Sequence, residues 1–130
     1  MQTRILVMVS AAIEAATAVA LIALPDVVAR VLLGAELSGP GIAVARVAGF
    51  GLLSLAIACW PGGNEASPRA TRALFLYNLL AGLYLGFLRV GGEFAGFLLW
   101  PACIVHVVFA LLLARPAYDN ASSANRAHPQ

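Results

Sequence analysis

The chain has 130 residues, of which 62% are hydrophobic and 11% charged, and its mean hydropathy is +0.90. So little polar surface excludes a soluble globular domain, and a formal charge of +2 without a basic cluster excludes a nucleic-acid partner. All eight basic residues are arginines, a bias that together with abundant alanine is typical of a GC-rich bacterial genome.

Four continuous apolar stretches are each long enough to cross a hydrocarbon core of ~30 Å at about 1.5 Å per helical residue. They cover residues 5–24, 42–60, 70–88 and 95–114. Because the stretches do not alternate, and because backbone polar groups in lipid need internal partners, they predict helices rather than a barrel. The short links between them predict an all-α integral membrane four-helix bundle with up-down-up-down topology.

The first stretch has some features of a secretory signal peptide. Arg4 precedes the apolar run, and Ala18-Val19-Ala20 imitates a small-residue cleavage site. However, Glu14 interrupts the apolar segment, and the segment is longer than the roughly 7–15 residues of a signal core. We therefore interpret it as an uncleaved transmembrane helix.

A short amphipathic helix is predicted between the first two spans, at the outer interface. Pro25 stops the first span, Asp26 can cap the next helix, and Gly34 can end it. Its apolar side chains lie on one face, at Val27, Val28, Val31 and Leu32. An ordered loop segment across the mouth of the bundle is an equal alternative.

The last span and the residues after it contain two prolines. Pro101 is predicted to kink the span just above His106, because a proline inside a helix removes a backbone hydrogen bond. The chain turns polar after Pro116. We therefore assign residues 1–116 to the four-helix transmembrane domain and predict a polar, disordered cytoplasmic tail for residues 117–130.

The arginines near the span ends predict the orientation. Five of them fall on the side that carries both termini and three on the other, namely Arg4, Arg69, Arg72, Arg115 and Arg126 against Arg30, Arg46 and Arg89. Because cytoplasmic loops carry the excess of positive charge, both termini are predicted to be cytoplasmic. We expect a multi-pass protein of the bacterial inner membrane.

Polar residues at similar depth in three spans predict a shared polar layer. Glu14 lies ~14 Å from the cytoplasmic end of the first span, and Asn78 and His106 lie at ~11–12 Å in theirs. Since an ionised acid at a helix centre costs about 2.5–3.5 kcal/mol, Glu14 is expected to be protonated, paired or beside a wet cavity. Tyr84 is expected to face the layer from above, whereas Tyr77 points ~100° away from Asn78 around its helix.

Arg46 is the natural counter-ion for Glu14. Its Cα is expected ~9 Å above that of Glu14, a gap that two long side chains can close. Snorkelling of Arg46 to the outer interface is an equal alternative. For His106 we favour a hydrogen-bonded packing role, because one histidine and one glutamate are too few ligands for a metal site. No metal and no cofactor is predicted.

The sequence contains no motif of a soluble enzyme, so catalysis is not predicted. It lacks a Gly-rich phosphate loop, a GxSxG elbow and a His/Cys cluster with metal-ligand spacing. Cys59 and Cys103 are expected at different depths, too far apart for a disulfide.

The run from Pro25 to Trp60 resembles small bacterial four-helix proteins of the broad DoxX-like type. The resemblance rests on Leu-Leu-Gly at 32–34, on Ala45-Arg46 and on Gly49-Phe50-Gly51-Leu52-Leu53. It implies a four-helix inner-membrane fold and no settled activity.

The segment Ala11-Ala12-Ile13-Glu14-Ala15 resembles the first helix of small multidrug-resistance transporters, which are four-helix proteins that bind protons and cations at a glutamate there. The resemblance implies that Glu14 is a proton and substrate site. The third span departs from the family because it lacks the Trp- and Gly-bearing stretch expected opposite the glutamate, and Arg46 and His106 have no counterparts. An arginine beside the acid would also repel a cationic substrate.

Two functions therefore compete. The favoured one is a small inner-membrane protein of structural or accessory type, whose Glu14–Arg46 pair and layer of Asn78 and His106 hold four helices in register. The alternative is a dimeric proton-coupled small-molecule transporter in which Glu14 exchanges protons with a substrate. Expected partners are the lipid bilayer and a second copy or a larger membrane complex.

Overall fold

A computed structural model describes the backbone of residues 2–126 and the side chains of residues 2–119. Its five helices are α1 (Gln2–Ala23), α2 (Pro25–Leu33), α3 (Gly39–Cys59), α4 (Pro68–Gly91) and α5 (Leu99–Arg126). The helices α1, α3, α4 and α5 are long and apolar enough to cross a membrane. The predicted all-α architecture with four spans is therefore confirmed.

The short helix between the first two spans is also confirmed. Pro25 occupies the first turn of α2. Proline lacks an N–H group, but N–H groups in the first turn have no acceptor within the helix, so no helical hydrogen bond is lost. Asp26 lies inside this turn rather than at the cap, where its carboxylate faces the positive end of the helix dipole. Gly34 ends the helix in the left-handed conformation, with a φ of 73°.

The four spans form two close pairs. α1 packs mainly against α3, and α4 packs mainly against α5. A glycine lies at each crossing: a Cβ atom on Gly49 would be 2.8 Å from Cγ1 of Ile22 and 3.0 Å from the Ala18 carbonyl oxygen, and one on Gly82 would be 3.1 Å from Cγ2 of Val107. These glycines let the helix backbones approach closely, as small residues do between helices in lipid.

An apolar cluster fills the centre of the bundle towards the end that carries the N terminus. All four spans contribute to it, through Val7, Ala11, Cys59, Ala70, Leu74 and Leu113. The next buried positions along α1 and α4 are polar, since Ser10 follows Val7 and Asn78 follows Leu74 by about one helical turn. The polar residues therefore lie directly next to the apolar cluster, one helical turn further from the N terminus along α1.

Backbone hydrogen bonds connect α2 to the segment between α4 and α5. The N–H group of Ala95 donates to the Leu33 carbonyl at 3.1 Å, and that of Leu98 donates to the Val31 carbonyl at 3.0 Å. Carbonyls in the last turn of a helix have no helical donor, so this segment satisfies them. A Cβ atom on Gly96 would collide with the backbone of α2, so the close approach requires glycine at this position.

The predicted kink in the last span is wrong. α5 begins at Leu99, so residues 95–98 lie outside it and Pro101 falls in its first turn. A proline in the first turn removes no helical hydrogen bond, because the N–H groups there have no partner within the helix.

The predicted disordered tail is wrong for residues 117–126, because α5 continues through Pro116 to Arg126. Ala117 is buried against the bundle, and this burial supports the helix beyond the proline. Residues 127–130 of the predicted tail lie outside the described residues.

Candidate functional site

The carboxamide of Asn78 on α4 connects three helices. Its Nδ2 group donates to the hydroxyl of Ser10 on α1 at 3.0 Å and to the Leu74 carbonyl at 2.8 Å. Its Oδ1 atom lies 3.0 Å from Nδ1 of His106 on α5. Because a carboxamide oxygen can only accept, Nδ1 of His106 carries a hydrogen and donates it. Both the donor and the acceptor end of this buried amide are therefore used.

The carboxyl group of Glu14 lies beside this connection. Glu14 is only 1% exposed, and its Oε1 atom is 3.8 Å from Nδ1 of His106. The side chain of Tyr77 is its hydrogen-bonding partner from α4. The rings of Tyr77 and His106 meet edge to face, with centroids 5.7 Å apart. The carboxyl group from α1 is thus enclosed by groups from α4 and α5.

We call Ser10, Glu14, Tyr77, Asn78 and His106 the polar cluster. It contains three of the predicted site residues, Glu14, Asn78 and His106, which the structure brings together. Within residues 2–119, every buried side-chain nitrogen and oxygen atom has a hydrogen-bond partner. The cluster is therefore a satisfied network, which is the condition for a buried polar group to stabilise rather than destabilise a fold.

Two members of the polar cluster were missed from the sequence. Ser10 precedes Glu14 by four residues and so shares its helix face, which is the signal that could have identified it. Tyr77 was expected to point away from the layer because its Cα–Cβ direction differs from that of Asn78. Its long side chain nevertheless reaches Glu14, so the direction of the Cα–Cβ bond alone was misleading.

The proposed pairing of Glu14 with Arg46 is wrong. Arg46 is exposed, and the Glu14 carboxyl group instead lies 3.8 Å from Nδ1 of His106. Among the described residues, no carboxylate lies within ion-pair distance of Arg46. One helical turn further along α3, Gly49 packs closely against Ala18 and Ile22 of α1, whereas Arg46 remains on the exposed surface.

The expected position of Tyr84 above the polar layer is also wrong. Tyr84 is 62% exposed and stacks on Phe87, with ring centroids 6.5 Å apart. Tyr84 follows Asn78 by six positions, which turns its side chain about 120° away from the buried face of α4. That face continues instead through Gly82.

An apolar groove of about 290 Å³ lies beside the polar cluster, along α3, with one lining residue from α1 and one from α4. It is open to one side and shares Tyr77 with the cluster. Its lining residues are Leu21, Ala48, Gly51, Leu52, Leu55 and Tyr77. Only the side chain of Tyr77 therefore separates the groove from Glu14.

The polar cluster combines two titratable groups, a carboxyl group and an imidazole, near the middle of the spans. Within residues 2–119, no three His, Cys, Asp or Glu side chains come together as metal ligands. The chain matches no protein-family model, no curated protein and no solved structure.

Proposed function

We propose that the chain is a small bacterial inner-membrane protein of structural or accessory type, in which the polar cluster holds two helix pairs in fixed register. The observation that carries the proposal is the Asn78 carboxamide, which bonds to α1 and α5 at once. The pairs α1/α3 and α4/α5 are each closely packed, but they contact one another less. Apolar side chains gain little by leaving lipid, so interhelical hydrogen bonds of about 0.6–1.7 kcal/mol each can decide how the pairs align.

The variant Asn78→Leu tests this role, because it keeps the side-chain volume and removes every hydrogen bond of the amide. We expect a lower midpoint of thermal unfolding in detergent, followed by the fluorescence of Trp60 and Trp100. Leu83→Ala is the matched control, since Leu83 lies on the exposed face of the same helix. If Asn78→Leu unfolds at the temperature of the control, the proposed role of the polar cluster is wrong.

We also propose that both termini are cytoplasmic. Five arginines lie at the end that carries the termini and three at the other. The Nε group of Arg4 donates to the Gly63 carbonyl at 2.9 Å, so the start of α1 and the α3–α4 connection lie at the same end. Reporter enzymes fused at the N terminus and inserted after Glu93 should report opposite sides of the membrane. The reverse assignment would overturn the orientation without affecting the role of the polar cluster.

A proton-coupled transporter is the second candidate, and two observations favour it. Glu14 and His106 place two proton-exchanging groups 3.8 Å apart inside the spans, where ionisable residues commonly mark proton pathways. Arg46 lies away from Glu14, so the expected repulsion of a cationic substrate is removed. In this role, Glu14→Gln would abolish proton flux in proteoliposomes while the protein stays folded. A wild-type protein that moves no protons across a pH gradient would exclude the transporter.

A further inference from the structure

α3 and α4 follow one another in the chain but are loosely packed against each other. α1 packs extensively on α3, and α4 on α5, whereas α3 and α4 meet at few positions. The apolar groove of about 290 Å³ lies on this side of α3 and is bounded by Leu21 of α1 and Tyr77 of α4. Gly51 contributes to it, because a Cβ atom at this position would meet no heavy atom within 4 Å apart from its chain neighbours and the backbone of its own helix. Unlike Gly49, this glycine makes space rather than a close helix contact.

The position of the groove determines what can fill it. Its lining on α3, from Ala48 to Leu55, belongs to the middle of a span. The surface around it carries large exposed apolar side chains, such as Val47 at 67% and Leu80 at 57% exposure. In a membrane, this surface faces hydrocarbon chains. An empty groove would leave its walls without dispersion contacts, and water would find few of the polar partners that it needs.

We propose that the groove binds a single acyl chain of a membrane phospholipid. Its volume lies at the lower limit of about 300–1,000 Å³ for sites of drug-sized molecules, and its lining side chains are uncharged. The lipid headgroup therefore stays outside the groove, and only the chain enters. The acyl chain lies against the side chain of Tyr77, whose hydroxyl group bonds to Glu14. The bound acyl chain thus packs against the polar cluster on the side that faces the lipid.

A phospholipid with a diazirine in the middle of one acyl chain tests this site in proteoliposomes of the full chain. After irradiation, peptide mass spectrometry should find labels concentrated on the groove residues Ala48, Leu55 and Tyr77. Labelling of the groove should saturate as the mole fraction of the probe rises. Labelling of Val47, which faces lipid on the same helix, should rise in proportion to the probe. Proportional labelling at both places would overturn the proposal.

The variant Gly51→Leu fills the groove, and we expect it to lower labelling of the groove at least fivefold. Val47→Leu is the matched control and should leave the labelling of the groove unchanged. Unchanged labelling in folded Gly51→Leu would overturn the proposal. If Gly51→Leu does not fold, the saturation measured with the wild-type chain decides the matter alone. Neither measurement depends on whether the polar cluster serves a structural role or transport, since both use the position of the label as the readout.

Discussion

The imidazole of His106 donates to the carboxamide of Asn78 across 3.0 Å, and this contact joins α5 to α4 at the depth where α1 presents Ser10. The same imidazole lies 3.8 Å from the Glu14 carboxyl group. Asn78 and His106 bond to one another within the α4/α5 pair, and each of them also contacts a side chain of α1, Ser10 and Glu14 respectively. The energies of these contacts should therefore depend on one another.

A double-mutant cycle can measure this dependence for the hydrogen bond between Ser10 and Asn78. Asn78→Leu leaves the Ser10 hydroxyl group without its partner, and we expect a loss of about 1–3 kcal/mol of unfolding free energy. Ser10→Ala in the same background should then cost less than it does alone, with an interaction energy of about 0.5–3 kcal/mol. Reversible unfolding in mixed micelles gives the four free energies. The control cycle pairs Ser10→Ala with Leu83→Ala on the exposed face of α4 and should be additive.

Two glycines on α3 should respond to alanine in opposite ways. Gly49→Ala places a methyl group 2.8 Å from Cγ1 of Ile22 and 3.0 Å from the Ala18 carbonyl oxygen, so α1 and α3 must move apart. We expect a destabilisation of about 1–3 kcal/mol, as for other overpacked sites. Gly51→Ala meets open space and should stabilise the helix by up to about 1 kcal/mol. Thermal unfolding of the two variants would contradict this account if both moved in the same direction.

The contact between α2 and the α4–α5 segment can be tested through Gly96. Gly96→Ala introduces a collision with the backbone of α2, so the hydrogen bonds donated by Ala95 and Leu98 should open. Hydrogen exchange at these two amides should then be at least tenfold faster. Gly91→Ala is the control, because a methyl group there meets no heavy atom within 4 Å apart from its chain neighbours and the backbone of its own helix. Unchanged exchange in Gly96→Ala would mean that these hydrogen bonds do not hold the segment.

Arg46 and Glu14 should behave as independent sites. Because Arg46 is exposed and Glu14 interacts with His106 and Tyr77, we expect Arg46→Gln and Glu14→Gln to be additive in unfolding free energy within about 0.5 kcal/mol. His106→Phe combined with Glu14→Gln should instead deviate from additivity. Coupling between Arg46 and Glu14 as large as that between His106 and Glu14 would restore the ion pair that the sequence suggested.

The depth of the polar residues could be predicted from the sequence, but their direction around the helix axes could not. A helix rises by a fixed distance per residue, and the span ends are marked by polar residues, so Glu14, Asn78 and His106 were placed at a common level. Rotation of each helix depends on which side chains allow a close approach. Gly49 on α3 and Gly82 on α4 allow such a close approach. Which residues of the neighbouring helices they pack against is known only from the structure.

The predictions for Arg46 and Tyr84 were wrong because they relied on depth along the helix and not on rotation about its axis. Both side chains are exposed on the outside of the bundle. The extension of α5 through Pro116 could not be predicted from the sequence for another reason. Local sequence predicts that a proline and polar residues end a helix, whereas the burial of Ala117 is a tertiary contact.

The hydrogen bonds between α2 and the α4–α5 segment also set an order of assembly. The carbonyls of Val31 and Leu33 obtain their donors from Leu98 and Ala95, which are translated more than sixty residues later. While the chain is being synthesised, the end of α2 must therefore bind water or lipid headgroups until the third hydrophobic span has been inserted. α2 can reach its final position only when the last quarter of the chain arrives.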